Sequence, residues 1–195
     1  MPSWTEFRLA CRGLLLLARF DEAFLRYFDR SAAGALRSFW LALLILPYFL
    51  LQLWLDIDQS VIAPLQCVAA RSVGYAYGWI LFPLVLLSVG RVLEREREAP
   101  GCIAVYNWTS LLWIVLHLPA TLLGGLNPDS QLALGLSLLA LAASVAIEGF
   151  LLMKCLRILL WQAAALVAVD LALSFFLVIP IFDALGCARI PTLGT

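Results

Sequence analysis

The stretch 131-QLALGLSLLALAASVAIEGFLLM-153 holds one ionisable side chain, Glu148, in 23 residues, and Lys154 and Arg157 follow it directly. A helix of that length rises about 34 Å, enough to cross a bilayer core of about 30 Å. Four more runs of this kind occupy residues 34–55, 72–90, 101–125 and 157–182. Composition agrees: 64% of residues are hydrophobic, 13% are charged, and the mean hydropathy is +0.97. A soluble domain has about 25% charged residues, and a water-soluble globule of this size keeps a large polar surface. Lipid is therefore the expected solvent. The fold class expected is an all-α membrane protein. Five transmembrane helices (34–185) form the bundle, an N-terminal amphipathic interfacial helix (1–33) precedes it, and a short outer tail (186–195) ends the chain.

The charges between the runs set an orientation. Arg8, Arg12, Arg19, Arg26, Arg30 and Arg37 precede or enter the first run. Arg91, Arg95 and Arg97 follow the second, and Lys154 and Arg157 separate the fourth from the fifth. These are 11 of the 13 basic residues, while the connections 56–60 and 127–130 contain none. Basic residues in short loops stay cytoplasmic, which predicts an inner N-terminus and an outer C-terminus. Arg71 and Arg189 stand outside that pattern. For Arg71 there are two readings: a short outer-surface helix before the second span, or one longer, tilted helix with the guanidinium reaching outward. The N-terminus lacks the long apolar stretch and small-residue site of a secretory signal, so insertion through the chain's own helices is expected.

The six N-terminal arginines are spaced by four or seven. On an unbroken helix they fill an arc of about 40°, with Phe7, Leu14, Leu17, Phe24, Leu25 and Phe28 broadly opposite. Such a helix lies in the interface with its arginines on lipid phosphates, or it docks a cytoplasmic partner. Breaks are expected at Gly13 and at 31–34. The acidic Asp21, Glu22 and Asp29 dilute the stripe and argue against nucleic acid.

Charged groups are costly inside a span and generally face other helices. His117, Glu148 and Asp170 are the candidates, with Asn107 and Gln162 as polar companions. Depth counted along each run pairs His117 with Asp170 and groups Asn107, Glu148 and Gln162 nearer the cytoplasm. Three roles compete: hydrogen-bonding glue between helices, a lone Asp170 or Glu148 held neutral by its surroundings, or a proton or ion path. Small residues in the fourth and fifth runs predict a tight hairpin. Pro47, Pro83, Pro119 and Pro180 lie inside runs, where kinks are expected. There is no phosphate-binding glycine loop, no HExxH and no CxxC, and a single histidine builds no metal site. No cofactor, metal or catalytic residue is expected. Cys67 and Cys187 both fall on the outer side, where either a disulfide or two thiols is open.

In the second run Gly74-Tyr75-Ala76-Tyr77-Gly78 resembles the Gly-Tyr-x-Tyr-Gly element of Yip-family proteins, five-span membrane proteins associated with Rab GTPases in eukaryotes. The entry to the first span, Phe28-Asp29-Arg30 and Leu36-Arg37-Ser38-Phe39, is similar to that of bacterial Yip-like proteins. The resemblance implies five spans and a cytoplasmic N-terminus. The acidic Asp-Leu-x-Gly-Pro element of many eukaryotic members is absent, so Rab binding is not carried over. Arginine outnumbers lysine twelve to one, which points to a GC-rich bacterial source and the inner membrane. The functional expectation is a non-enzymatic membrane-organising, assembly or partner-recruiting factor, acting through the N-terminal helix and the loop 91–98. Its partners would be membrane lipids, a protein at the cytoplasmic face or a second copy. The alternative is a small proton, ion or solute transporter, or an accessory subunit of one, using His117, Asp170 and Glu148.

Overall fold

The computed structural model describes residues 2–56, 64–127 and 129–175. All regular structure among them is helical: α1 (Trp4–Leu17), a short 3-10 helix (Glu22–Tyr27), α2 (Ala32–Ser38), α3 (Leu41–Asp56), α4 (Pro64–Val92), α5 (Ala99–Leu126), α6 (Gln131–Leu156) and α7 (Leu160–Leu173). Four segments are long and apolar enough to cross a bilayer: Ala32–Trp54, Val68–Val92, Ala99–Leu126 and Gln131–Leu156. This is the pattern of a multi-pass membrane protein. α7 is apolar but shorter, and the expected end of the fifth span, with Pro180 and the tail 186–195, lies outside the described residues. So does the Cys67–Cys187 pairing, which depends on Cys187.

Local chemistry explains where the helices start and stop. Ser3, Ser31 and Ser130 each accept a backbone N–H three residues on, at 3.1, 3.0 and 3.2 Å, and so open α1, α2 and α6. Pro100 sits in the first turn of α5, where a missing N–H costs nothing. Arg157 adopts a left-handed conformation (φ 54°) after α6, turning the chain towards α7 within a few residues. Pro47, Pro83 and Pro119 lie within α3, α4 and α5. Of the two readings for Arg71, the continuous helix is found: α4 runs 29 residues and contains it.

The N-terminal region departs from a single flat helix. Gly13 is inside α1, and the break comes instead at residues 18–21, where Phe20 has φ 57°. The chain then folds back through the 3-10 helix and an extended stretch to Ser31. Leu14, Leu17, Phe24 and Phe28 are buried in the protein core with residues of α5 and α6, not laid out for lipid. Phe24 is 0% exposed and packs on Phe28 and Phe150 at ring separations of 6.5 and 5.9 Å. Packing against a ready apolar bundle end satisfies these side chains as well as acyl chains would, and it adds shape-specific contact. We call this region the collar.

Ion pairs tie the collar down. Arg37 meets Glu6 at 3.4 Å and also Asp29, and Lys154 at the end of α6 pairs with Glu22. Asp29 is held below the usual carboxylate range, first by hydrogen bonds from Ser31 and then by Arg37. The collar therefore sits at the bundle end formed by the start of α5 and the end of α6. The connections 93–98 and 157–159 lie at this same end.

Candidate functional site

α3, α4, α5, α6 and α7 together line a partly open cavity of about 470 Å³. Its polar lining comes from every one of them: Tyr48 and Gln52 from α3, Tyr75 and Trp79 from α4, Tyr106, Asn107, Ser110, Trp113, His117 and Thr121 from α5, Ser144 and Glu148 from α6, and Asp170 from α7. Apolar side chains such as Ile45, Phe82 and Leu171 complete it.

The two carboxyl groups of the spans converge here. Glu148 is 5% exposed, and it lines the cavity from α6 as Asp170 does from α7. Tyr106 donates its hydroxyl hydrogen to Asp170 Oδ2 at 3.2 Å. Glu148 Oε1 and Trp113 Nε1 are buried without hydrogen-bond partners. The Tyr106 ring is itself fixed between Phe82 (4.7 Å) and Trp113 (5.2 Å, edge-on).

This arrangement differs from the layers counted along the sequence. Asp170 joins Glu148, whereas His117 bonds Ser144 at 3.2 Å. Asn107 donates to Ser38 Oγ at 2.8 Å, tying α5 to the end of α2. Gln162 caps the start of α7, its Oε1 accepting from the Leu159 N–H at 2.9 Å. Helix boundaries are the reason. α6 extends to Leu156 and α7 begins only at Leu160. Glu148 is therefore about 12 Å, and Asp170 about 15 Å, from the connecting turn, at nearly one level. Gln162 is left at the helix end.

The arginine stripe divides. Arg8, Arg12, Arg19 and Arg26 are exposed on the collar. Arg37 is taken up by ion pairs within the protein. Arg30 lies over Gly101, its Nε buried and unpartnered. In the Gly74–Gly78 element, Gly74, Tyr75 and Gly78 line the cavity and Tyr77 is exposed. Tyr75 donates to the Ala42 carbonyl and stacks on Phe49 at 4.5 Å, joining α4 to α3.

Sequence reasoning missed Tyr106, Ser144, Ser38 and Trp113. The available signal was adjacency: Tyr106 precedes Asn107, and Ser144 lies one turn from Glu148. Serine and tyrosine are common in apolar helices, so that signal is weak without the packing. Among the described residues, no three His, Cys, Asp or Glu side chains converge as a metal-ligand set. Comparison with protein-family models, with curated proteins and with solved structures finds no match to this chain.

Proposed function

We propose that this chain is a non-enzymatic, five-span, Yip-like protein of a bacterial inner membrane, N-terminus inside, that holds a small solute between its spans. It would act as a small transporter or as an accessory subunit of one. The observation that carries this reading is that Glu148 and Asp170 both line a cavity to which all five apolar helices contribute. Structural glue is commonly a hydrogen-bonded pair that fills its own space. Here Glu148 lines the cavity and its buried Oε1 has no hydrogen-bond partner, which sets the pair apart from a fully satisfied structural contact.

Reconstitution into liposomes carrying a pH-sensitive dye tests this reading. Wild-type protein should pass protons or cations faster than empty vesicles, and Glu148→Gln or Asp170→Asn should reduce that flux at least tenfold. Flux equal to that of empty vesicles, or flux untouched by both substitutions, would remove the transport reading.

A second reading is favoured by the four exposed collar arginines: a membrane-organising or partner-recruiting role at the cytoplasmic face. Replacing Arg8, Arg12, Arg19 and Arg26 together by Gln should then abolish reproducible co-purification of a partner while leaving any solute flux intact.

A further inference from the structure

We propose that the cavity is a binding site for a small organic ammonium ion, with Glu148 and Asp170 as its counter-ions and the aromatic wall as its cage. The inference deepens the solute-holding reading above by naming the chemical class. Three observations point to a cation. Glu148 and Asp170 line one cavity inside the membrane-spanning bundle, where ionised carboxylates are costly unless a positive charge offsets them. Among the described residues, the lining contains no Lys or Arg. And Glu148 Oε1, on a side chain that is 5% exposed, has no donor, a gap that an ammonium N–H can fill.

Two further observations favour an organic ammonium over a bare metal ion. Calcium or magnesium needs six or more oxygen ligands in one tight shell, whereas the oxygen-bearing side chains here are spread over five helices. The aromatic side chains of Phe49, Tyr75, Trp79, Phe82, Tyr106 and Trp113 line the same space, and aromatic rings attract cations through their quadrupoles. A volume of about 470 Å³ suits a small molecule and is too small for a membrane lipid.

The test uses full-length protein in nanodiscs, titrated calorimetrically with butylammonium chloride and, separately, with 1-butanol, its uncharged analogue of matching length. Wild-type protein should bind butylammonium saturably and 1-butanol at least tenfold more weakly. Glu148→Gln and Asp170→Asn, both close to isosteric, should each weaken butylammonium at least tenfold while thermal melts confirm folding. Equal binding of 1-butanol would overturn the ammonium assignment and leave an apolar solute site standing. Butylammonium binding unchanged in both variants would overturn the counter-ion roles and with them the proposal. Absence of binding by either probe would also overturn it, while the flux assay decides the broader reading separately.

Discussion

A methyl group on Gly101 would lie 2.8 Å from Arg30 Cβ and 3.0 Å from the Arg30 carbonyl oxygen. Neither atom is the free end of a flexible side chain, so the extended segment after the collar's 3-10 helix would have to move. In an ordinary helix interior Gly→Ala gains about 0.5–1 kcal/mol. Here the sign should reverse. Gly101→Ala should cost about 1–3 kcal/mol, as overpacking typically does, read as a lowered thermal midpoint in detergent. Gly78→Ala provides the control, because its Cβ would meet nothing within 4 Å, and it should be neutral or mildly stabilising. The same pair separates two glycines that look alike on the page: one is required by a neighbour, the other only borders a cavity.

At the scale of an element, Phe24 is a fully buried collar side chain, packed on Phe28 of the collar and Phe150 of α6. Removing a buried phenylalanine ring costs about 3–5 kcal/mol, which is comparable to what a short docked segment can contribute. Phe24→Ala should therefore release the collar while the apolar bundle stays folded. Limited trypsin digestion would show this as new, rapid cleavage after Arg19 and Arg26, with the fragment from α3 onward persisting. Uniform loss of the whole protein would instead mean that collar and bundle fold as one unit. The docking also explains why the arginine stripe misleads when read as a helix. Its phase holds over α1, but the left-handed Phe20 and the extended return to Ser31 rotate the later arginines away. Arg37 is consequently available to Glu6 and Asp29.

For the molecule as a whole, the consequence is a two-ended body. The collar, the 93–98 connection and the α6–α7 turn gather at one end, and the 127–130 connection lies at the other. Single cysteines placed at Glu22, Glu94 and Asp129, in a background freed of native cysteines, should label in two classes. Glu22→Cys and Glu94→Cys should react from the same side of the membrane and Asp129→Cys from the opposite one. Labelling of Glu94→Cys together with Asp129→Cys would refute the proposed threading of α5. The cavity belongs to this scale too, since five helices contribute to its lining and no single one outlines it.

The chain's own residues determined the long apolar helices, because a run of about 20 apolar residues can satisfy its backbone in lipid only by coiling on itself. They also determined the caps at Ser3, Ser31 and Ser130 and the short turn after Lys154, which depend on neighbours within a few positions. Five polar residues inside the runs were legible as candidates, since a polar group in lipid is conspicuous. Their partners were not. A shift of three residues in where α6 ends and α7 begins moves Asp170 from the level of His117 to that of Glu148, and such boundaries are fixed by packing. The fate of Leu14, Leu17 and Phe24 was equally hidden, because an apolar helix face fits lipid and protein alike. Only the tertiary structure, by bringing the start of α5 and the end of α6 together, gave that face a protein surface to cover.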